Sequence, residues 1–475
     1  MLETNLSNDD WLLLSLLFFV FVMVGTIYHV RKFKKAQFLD PIMIFLFFYC
    51  LFVLPLPIRA YSTKEIAGDV TEHLRQLLPY IPWALFLSAL GLPLFVWGYY
   101  SKLSQNIARR LPRPKTGTHA RAAYIVISVV SLLLLMDLAR DAGGLLDFIL
   151  LGYGATASMF GKGYLAVGLP WMFVASLFLF YRFTIRRKKI DLFVFVLALA
   201  IVVFMQVILG ARGMLLYIGL TLLIYWHTAV RPISTKFIAA VAIVLFLGLN
   251  ILGILRSSKY ADLSDVWTKT TGTYEEPNVS GNLFYTLTTG EFVVPFETLP
   301  QMIKSVGTEV SPQFGLTYLK MPLFWIPSAV FPSRPLPLAN WYMEKFYGGG
   351  YELNEGRQFF FTSEGYLNFG PFGVLGTMLF WGWCLGAVHR YRQLACGEPG
   401  ALMLYALTVA FIFRGIAGDS VSLLVGLPEQ SLSAAVLGIW IANREGLLHG
   451  AWKRPRSCSP WRQALQPRGL GTAKR

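Results

Sequence analysis

Apolar residues in this chain run in blocks of about 20, the length that crosses a hydrocarbon core of about 30 Å. Polar and basic residues gather between the blocks. Such blocks predict helices, because inside lipid every backbone N–H and C=O has to be satisfied within its own segment. The short alternating runs of a β-barrel are missing. About eleven spans follow by length and hydropathy. They cover residues 11–30, 38–57, 81–100, 122–139, 163–182, 190–209, 213–230, 237–255, 366–388, 401–417 and 428–443. The expected fold is an all-α polytopic membrane protein, one integral domain over 1–443 followed by a basic tail over 444–475.

Basic residues set the expected orientation. RKFKK (31–35), SKLSQNIARRLPRPK (101–115), RRKK (186–189), the stretch 231–236, HRYR (389–392) and the tail fall on alternate connections. Lys and Arg collect on the cytoplasmic side. The N-terminus is therefore expected to be periplasmic and the C-terminus cytoplasmic, with the tail against anionic lipid. The opening MLETNLSNDD lacks the basic start of a signal peptide, so the first block is expected to be a retained span.

Composition supports this reading. Over 475 residues, 55% are hydrophobic and 14% charged, and mean hydropathy is +0.54. A soluble chain carries about a quarter charged residues. The net charge of +16 is explained by the clusters between spans, so no nucleic-acid partner is expected. Cys50, Cys384, Cys396 and Cys458 avoid the longest hydrophilic loop and imply no disulfide framework. No Cys/His spacing suggests zinc, and neither a phosphate-binding loop nor a dinucleotide fingerprint occurs.

The long outer loop, 256–365, holds most of the candidate chemistry. Its piece LKMPLFWIPSAVF (319–331) is too short and too rich in proline to cross, and reads as interfacial or re-entrant. Trp325, Trp341, Tyr342, Phe346, Tyr347, Tyr351 and Phe359 to Phe361 crowd the loop. They suit an interfacial aromatic belt or a surface on which sugar rings stack.

Charges at or within spans are costly and mark candidate sites. Arg212 sits in the tight turn LGARGM and Arg414 in FIFRGIAGD. Arg212 can instead snorkel at a hairpin end, and Arg414 can pair with Asp419 or an inter-helix carbonyl. Arg256, Arg334 and Arg357 add guanidiniums on the loop, whose planar forks match phosphate oxygens. Glu364, Tyr366 and Asn368 stand at the mouth of the next span. Glu364 can act as a general base or simply favour a helix N-terminus.

Three pieces carry a family resemblance: GARG (210–213), SEGYLNFGPFGVLG (363–376) and FRGIAGDS (413–420). With many spans and one large outer loop in the second half, the chain resembles the Wzy-type family of O-antigen or oligosaccharide repeat-unit polymerases. It carries no clean copy of the loop repeats, Arg with spaced Gly, of some members. The resemblance implies a fold similar to the metal-independent GT-C membrane glycosyltransferases, without a cofactor or metal, in the bacterial inner membrane. Donor and acceptor would be oligosaccharides on undecaprenyl diphosphate, and a chain-length regulator is a candidate partner. Carried onto this chain, Arg212 and Arg414 would hold the diphosphate, with Arg256, Arg334 or Arg357 sharing that work. Glu364 would be the base or position the acceptor, and Tyr366, Asn368, Trp341 and Tyr351 would contact sugar. A ligase moving finished glycan shares this pattern. A lipid-linked oligosaccharide flippase is the alternative from another class.

Overall fold

The computed structural model describes residues 8–63, 75–114, 117, 119–141, 143–151, 163–209, 211–241, 294–326, 330, 331, 333–348, 357–395 and 397–443. Among them, nine helices are long and apolar enough to cross a membrane: Asp9–Lys32, Pro41–Tyr61, Arg75–Tyr100, Ala120–Arg140, Gly168–Arg186, Lys189–Ile208, Phe361–Leu394, Pro399–Ala417 and Ser420–Ala442. The expected span at 213–230 is a helix, Arg212–Ala229, less apolar than those nine because Arg212 and His227 lie at its ends. The expected span at 237–255 begins as helix over 235–241 and then leaves the described residues.

Several boundaries differ from the sequence expectation. The span expected at 163–182 is interrupted at Val167 and runs from Gly168 to Arg186. Gly168 lies so close to the helix beside it that a Cβ there would stand 2.9 Å from the Ser131 carbonyl. The span expected at 366–388 starts five residues earlier, at Phe361, with a break inside it. The last span begins at Ser420, eight residues before the expected start, and widens into a π-turn at Pro428–Leu432.

Small residues bring two central helices into backbone contact. A Cβ on Gly382 would stand 2.2 Å from the Phe95 carbonyl, one on Gly386 2.2 Å from that of Tyr99, and one on Gly98 2.5 Å from that of Leu379. In lipid, helices associate through such close packing, because the tails are as apolar as the side chains. Phe45 stacks on Phe95 at 3.9 Å beside this seam, and Phe361 meets Trp381 at 5.1 Å. Pro399–Ala417 is the most enclosed span, whereas Asp9–Lys32 and Lys189–Ile208 show most of their surface outward.

The basic ends of several helices meet one another. Arg392 pairs with Asp40 at 3.2 Å, and the Lys34 ammonium lies 5.1 Å over the Tyr100 ring. His227 contacts Gln37 at 3.4 Å, and the Tyr391 hydroxyl donates to the Pro112 carbonyl at 3.1 Å. The helix Arg212–Ala229 ends in this cluster at His227, so Arg212 marks the opposite end of the bundle. The described segments between 294 and 348 pack at that opposite end, against the start of Phe361–Leu394.

Candidate functional site in the long loop and broken helix

The helix Phe361–Leu394 breaks at Phe369 (φ −137°, ψ 20°) and Gly370 (φ 59°), just before Pro371. Proline has no backbone N–H, so the Leu367 carbonyl loses its helical donor. The Gln313 N–H takes that place at 3.0 Å, and the Phe314 N–H donates to the Asn368 carbonyl at 3.2 Å. The Asn368 side chain finishes the join. Its Oδ1 accepts from the Gly315 N–H at 2.8 Å, and its Nδ2 donates to Thr317 Oγ1 at 2.7 Å and to the Glu364 carbonyl at 2.8 Å. Segment 313–317 is thereby fastened to the break. Irregular backbone at membrane depth survives where protein re-satisfies it in this way.

Glu364 is 2% exposed. Its Oε1 accepts from the Thr317 and Ser420 hydroxyls, both at 2.8 Å, and its Oε2 from the Ser420 N–H at 2.6 Å. Three donors hold the carboxylate in one orientation and leave lone-pair capacity for a further proton or hydroxyl. The next acid, Asp419, caps the last span through the Ser422 N–H (2.9 Å) and receives the Leu338 N–H (3.0 Å). Asp419 thus ties the loop helix Leu338–Tyr347 to the bundle instead of pairing with Arg414. Burial first, and then the Glu364 charge, raise the pKa of the neighbouring Tyr318 hydroxyl and keep it neutral.

Glu364 lines a cavity of 430 Å³ between the loop and the bundle, with Trp341, Thr317, Phe324, Lys320 and Lys345 in its wall. Its volume falls in the range of about 300–1,000 Å³ usual for small-molecule sites, and its wall mixes polar and charged with apolar residues.

Six residues before Ser420 stands Arg414. Its guanidinium donates to Gln430 Oε1 and lies 5.5 Å from the Phe411 ring centre. Gly213 lies beside it: a Cβ there would be 3.8 Å from Arg414 Nε, an ordinary contact. Arg414 therefore presses against the first turn of the helix that Arg212 opens. Among the described residues, Arg414 has no carboxylate at ion-pairing distance. A half-buried charge with only a neutral partner is costly, and a helix N-terminus beside it favours an anion.

The remaining sequence candidates divide. Arg334 donates to the Ile326 carbonyl at 3.2 Å, sits 5.9 Å from the ring of the cavity residue Phe324, and lies within electrostatic range of Glu429. Arg357 is committed to Glu297 at 2.6 Å, where the hydroxyls of Tyr342 and Tyr347 also donate. Trp341 is in the cavity wall, Tyr366 packs against the aromatic cluster of the loop, and Asn368 is buried in the join just described. Arg256 and Tyr351 lie outside the described residues.

Sequence reasoning did not single out Thr317, Lys320, Lys345, Ser420, Gln430 or Glu297. Ser420 closes the FRGIAGDS motif and was within reach of it; the others carry no local signal. Among the described residues, no group of three or more His, Cys, Asp or Glu is placed to hold a metal ion. Compared with protein-family models, with curated proteins and with solved structures, the chain matches none.

Proposed function

We propose that this chain joins lipid-linked oligosaccharide repeat units into a polysaccharide on the periplasmic side of a bacterial inner membrane, as a GT-C-like, metal-independent glycosyltransferase. The observation that carries the reading is Arg414: a half-buried guanidinium with a neutral partner, against the N-terminus of the helix that Arg212 opens, at the same end of the bundle as the cavity lined by Glu364.

In this reading the donor glycan is linked through its anomeric carbon to the diphosphate of undecaprenyl diphosphate. A hydroxyl on the acceptor repeat unit attacks that carbon as its bond to the diphosphate oxygen breaks. The leaving diphosphate takes the bonding electron pair, and Arg414 and Arg212 offset its growing charge. The hydroxyl proton passes to the Glu364 carboxylate, which Thr317 and Ser420 hold in place. Trp341 supplies an aromatic face to a sugar ring.

Purified protein in lipid nanodiscs, supplied with lipid-linked repeat units, tests this. The wild type is expected to give a ladder of products, and Arg414→Ala only single units. An unchanged ladder from Arg414→Ala would overturn the assignment. Loss of the gene in cells separates polymerase from ligase: the first leaves single-repeat product on the final acceptor, the second leaves none there.

A further inference from the structure

The cavity wall carries two ammonium groups that the proposed transfer does not use. Lys320 ends the short helix Leu316–Lys320, whose second residue, Thr317, holds Glu364. Lys345 lies on the helix Leu338–Tyr347, four residues after Trp341. Residues four apart share a helix face, so Lys345 and Trp341 present an ammonium and an indole to the same space. Both lysines are exposed, and among the described residues neither has an ion-pair partner.

The acids of the same wall are oriented by neutral donors. Glu364 accepts three hydrogen bonds, and Glu309 accepts from the Ser305 hydroxyl at 3.1 Å. Both acids keep their negative charge, while the two ammonium groups have no carboxylate at ion-pairing distance among the described residues and stand beside an aromatic platform. A neutral sugar needs the platform and hydroxyl partners such as Gln313 and Ser311, but no cation. The diphosphate has its own arginines at Arg414 and Arg212.

Resting on the reading of this cavity as the saccharide site, we infer that Lys320 and Lys345 select a repeat unit bearing a carboxylate, such as a uronic acid, whose ring stacks on Trp341. The lysines are specificity residues. They take no part in bond making, and their attraction for the carboxylate weakens as salt screens it.

Full-length protein in nanodiscs of neutral lipid is titrated with a glucuronic-acid-terminated disaccharide and with its glucose-terminated counterpart, following tryptophan fluorescence and heat. Neither probe carries lipid or phosphate. The wild type is expected to favour the acidic probe by about tenfold or more. Lys320→Gln with Lys345→Gln abolishes the preference and leaves the neutral probe's affinity in place, while the paired Lys→Arg variant keeps the preference and controls for folding. Equal affinity of the wild type for both probes overturns the inference and leaves the saccharide site standing. Failure of both probes to bind removes the saccharide site, and the inference with it. Binding of inorganic pyrophosphate that the Lys→Gln pair loses and Arg414→Gln keeps also overturns it, assigning the lysines to the carrier diphosphate.

Discussion

The Gln313 backbone N–H donates to the carbonyl of Leu367, the acceptor that Pro371 leaves without a helical partner. One loop amide thus repairs a membrane helix and, by the same contact, sets Thr317 against Glu364. Loop order and carboxylate orientation are coupled through the helix break.

Asn368 is the residue on which that coupling depends. Asn368→Ala removes one acceptor and two donated hydrogen bonds from a fully buried position. Each buried group left unmatched costs about 1–3 kcal/mol. Segment 313–317 is expected to become sensitive to protease and to exchange amide hydrogens faster, while the spanning helices keep their protection. Unchanged exchange over 313–317 would show that the backbone contacts suffice.

Glu364→Gln keeps the size of the side chain and removes its basicity. Transfer is expected to fall by about 10²–10⁴-fold, the usual contribution of a general base. Sugar binding in the cavity should persist, because Trp341 and the lysines are untouched. Single-turnover assays with lipid-linked donor and acceptor measure the loss directly.

Arg414→Met is expected to raise thermal stability while ending polymer growth. The guanidinium is half-buried without a carboxylate among the described residues, and an apolar chain of similar length removes that desolvation cost. Unfolding followed by tryptophan fluorescence checks the first half and product length the second. A fall in stability would mean that the bond to Gln430 matters more to the fold than the burial of the charge.

Glu297 holds the loop from below. It is fully buried and receives Arg357 together with the hydroxyls of Tyr342 and Tyr347. Removing one partner of a buried ion pair costs about 3–5 kcal/mol. Arg357→Ala should therefore release the helix Leu338–Tyr347 and open the cavity, and Glu297→Gln with Arg357→Met should restore part of the loss. A double-mutant cycle measures that recovery.

The same cluster predicts a response to alkali. Burial first, and the Glu297 charge second, raise the pKa of the Tyr347 hydroxyl above its ordinary value. A raised folded-state pKa stabilises the fold below the unfolded value of about 10. That contribution is lost as pH rises above it, because the unfolded chain ionises first. Loop protection should fall above about pH 10 in the wild type and fall less in Tyr347→Phe.

Much of the fold is legible in one dimension. Length and hydropathy are properties of consecutive residues, so nine expected spans reappear as long apolar helices, with a tenth as Arg212–Ala229. Arg212, Arg414 and Glu364 also stand out in the sequence, since a charge in or beside an apolar block is conspicuous there. Which charge meets which partner depends on contacts between residues far apart in the chain, and local periodicity does not encode these. Only the tertiary structure matches Arg357 to Glu297 across 60 positions and turns Asp419 toward Leu338 instead of Arg414. It alone sets Lys320 and Lys345 around one cavity, because packing an irregular loop against a broken helix is settled by which backbone groups the break leaves unpaired.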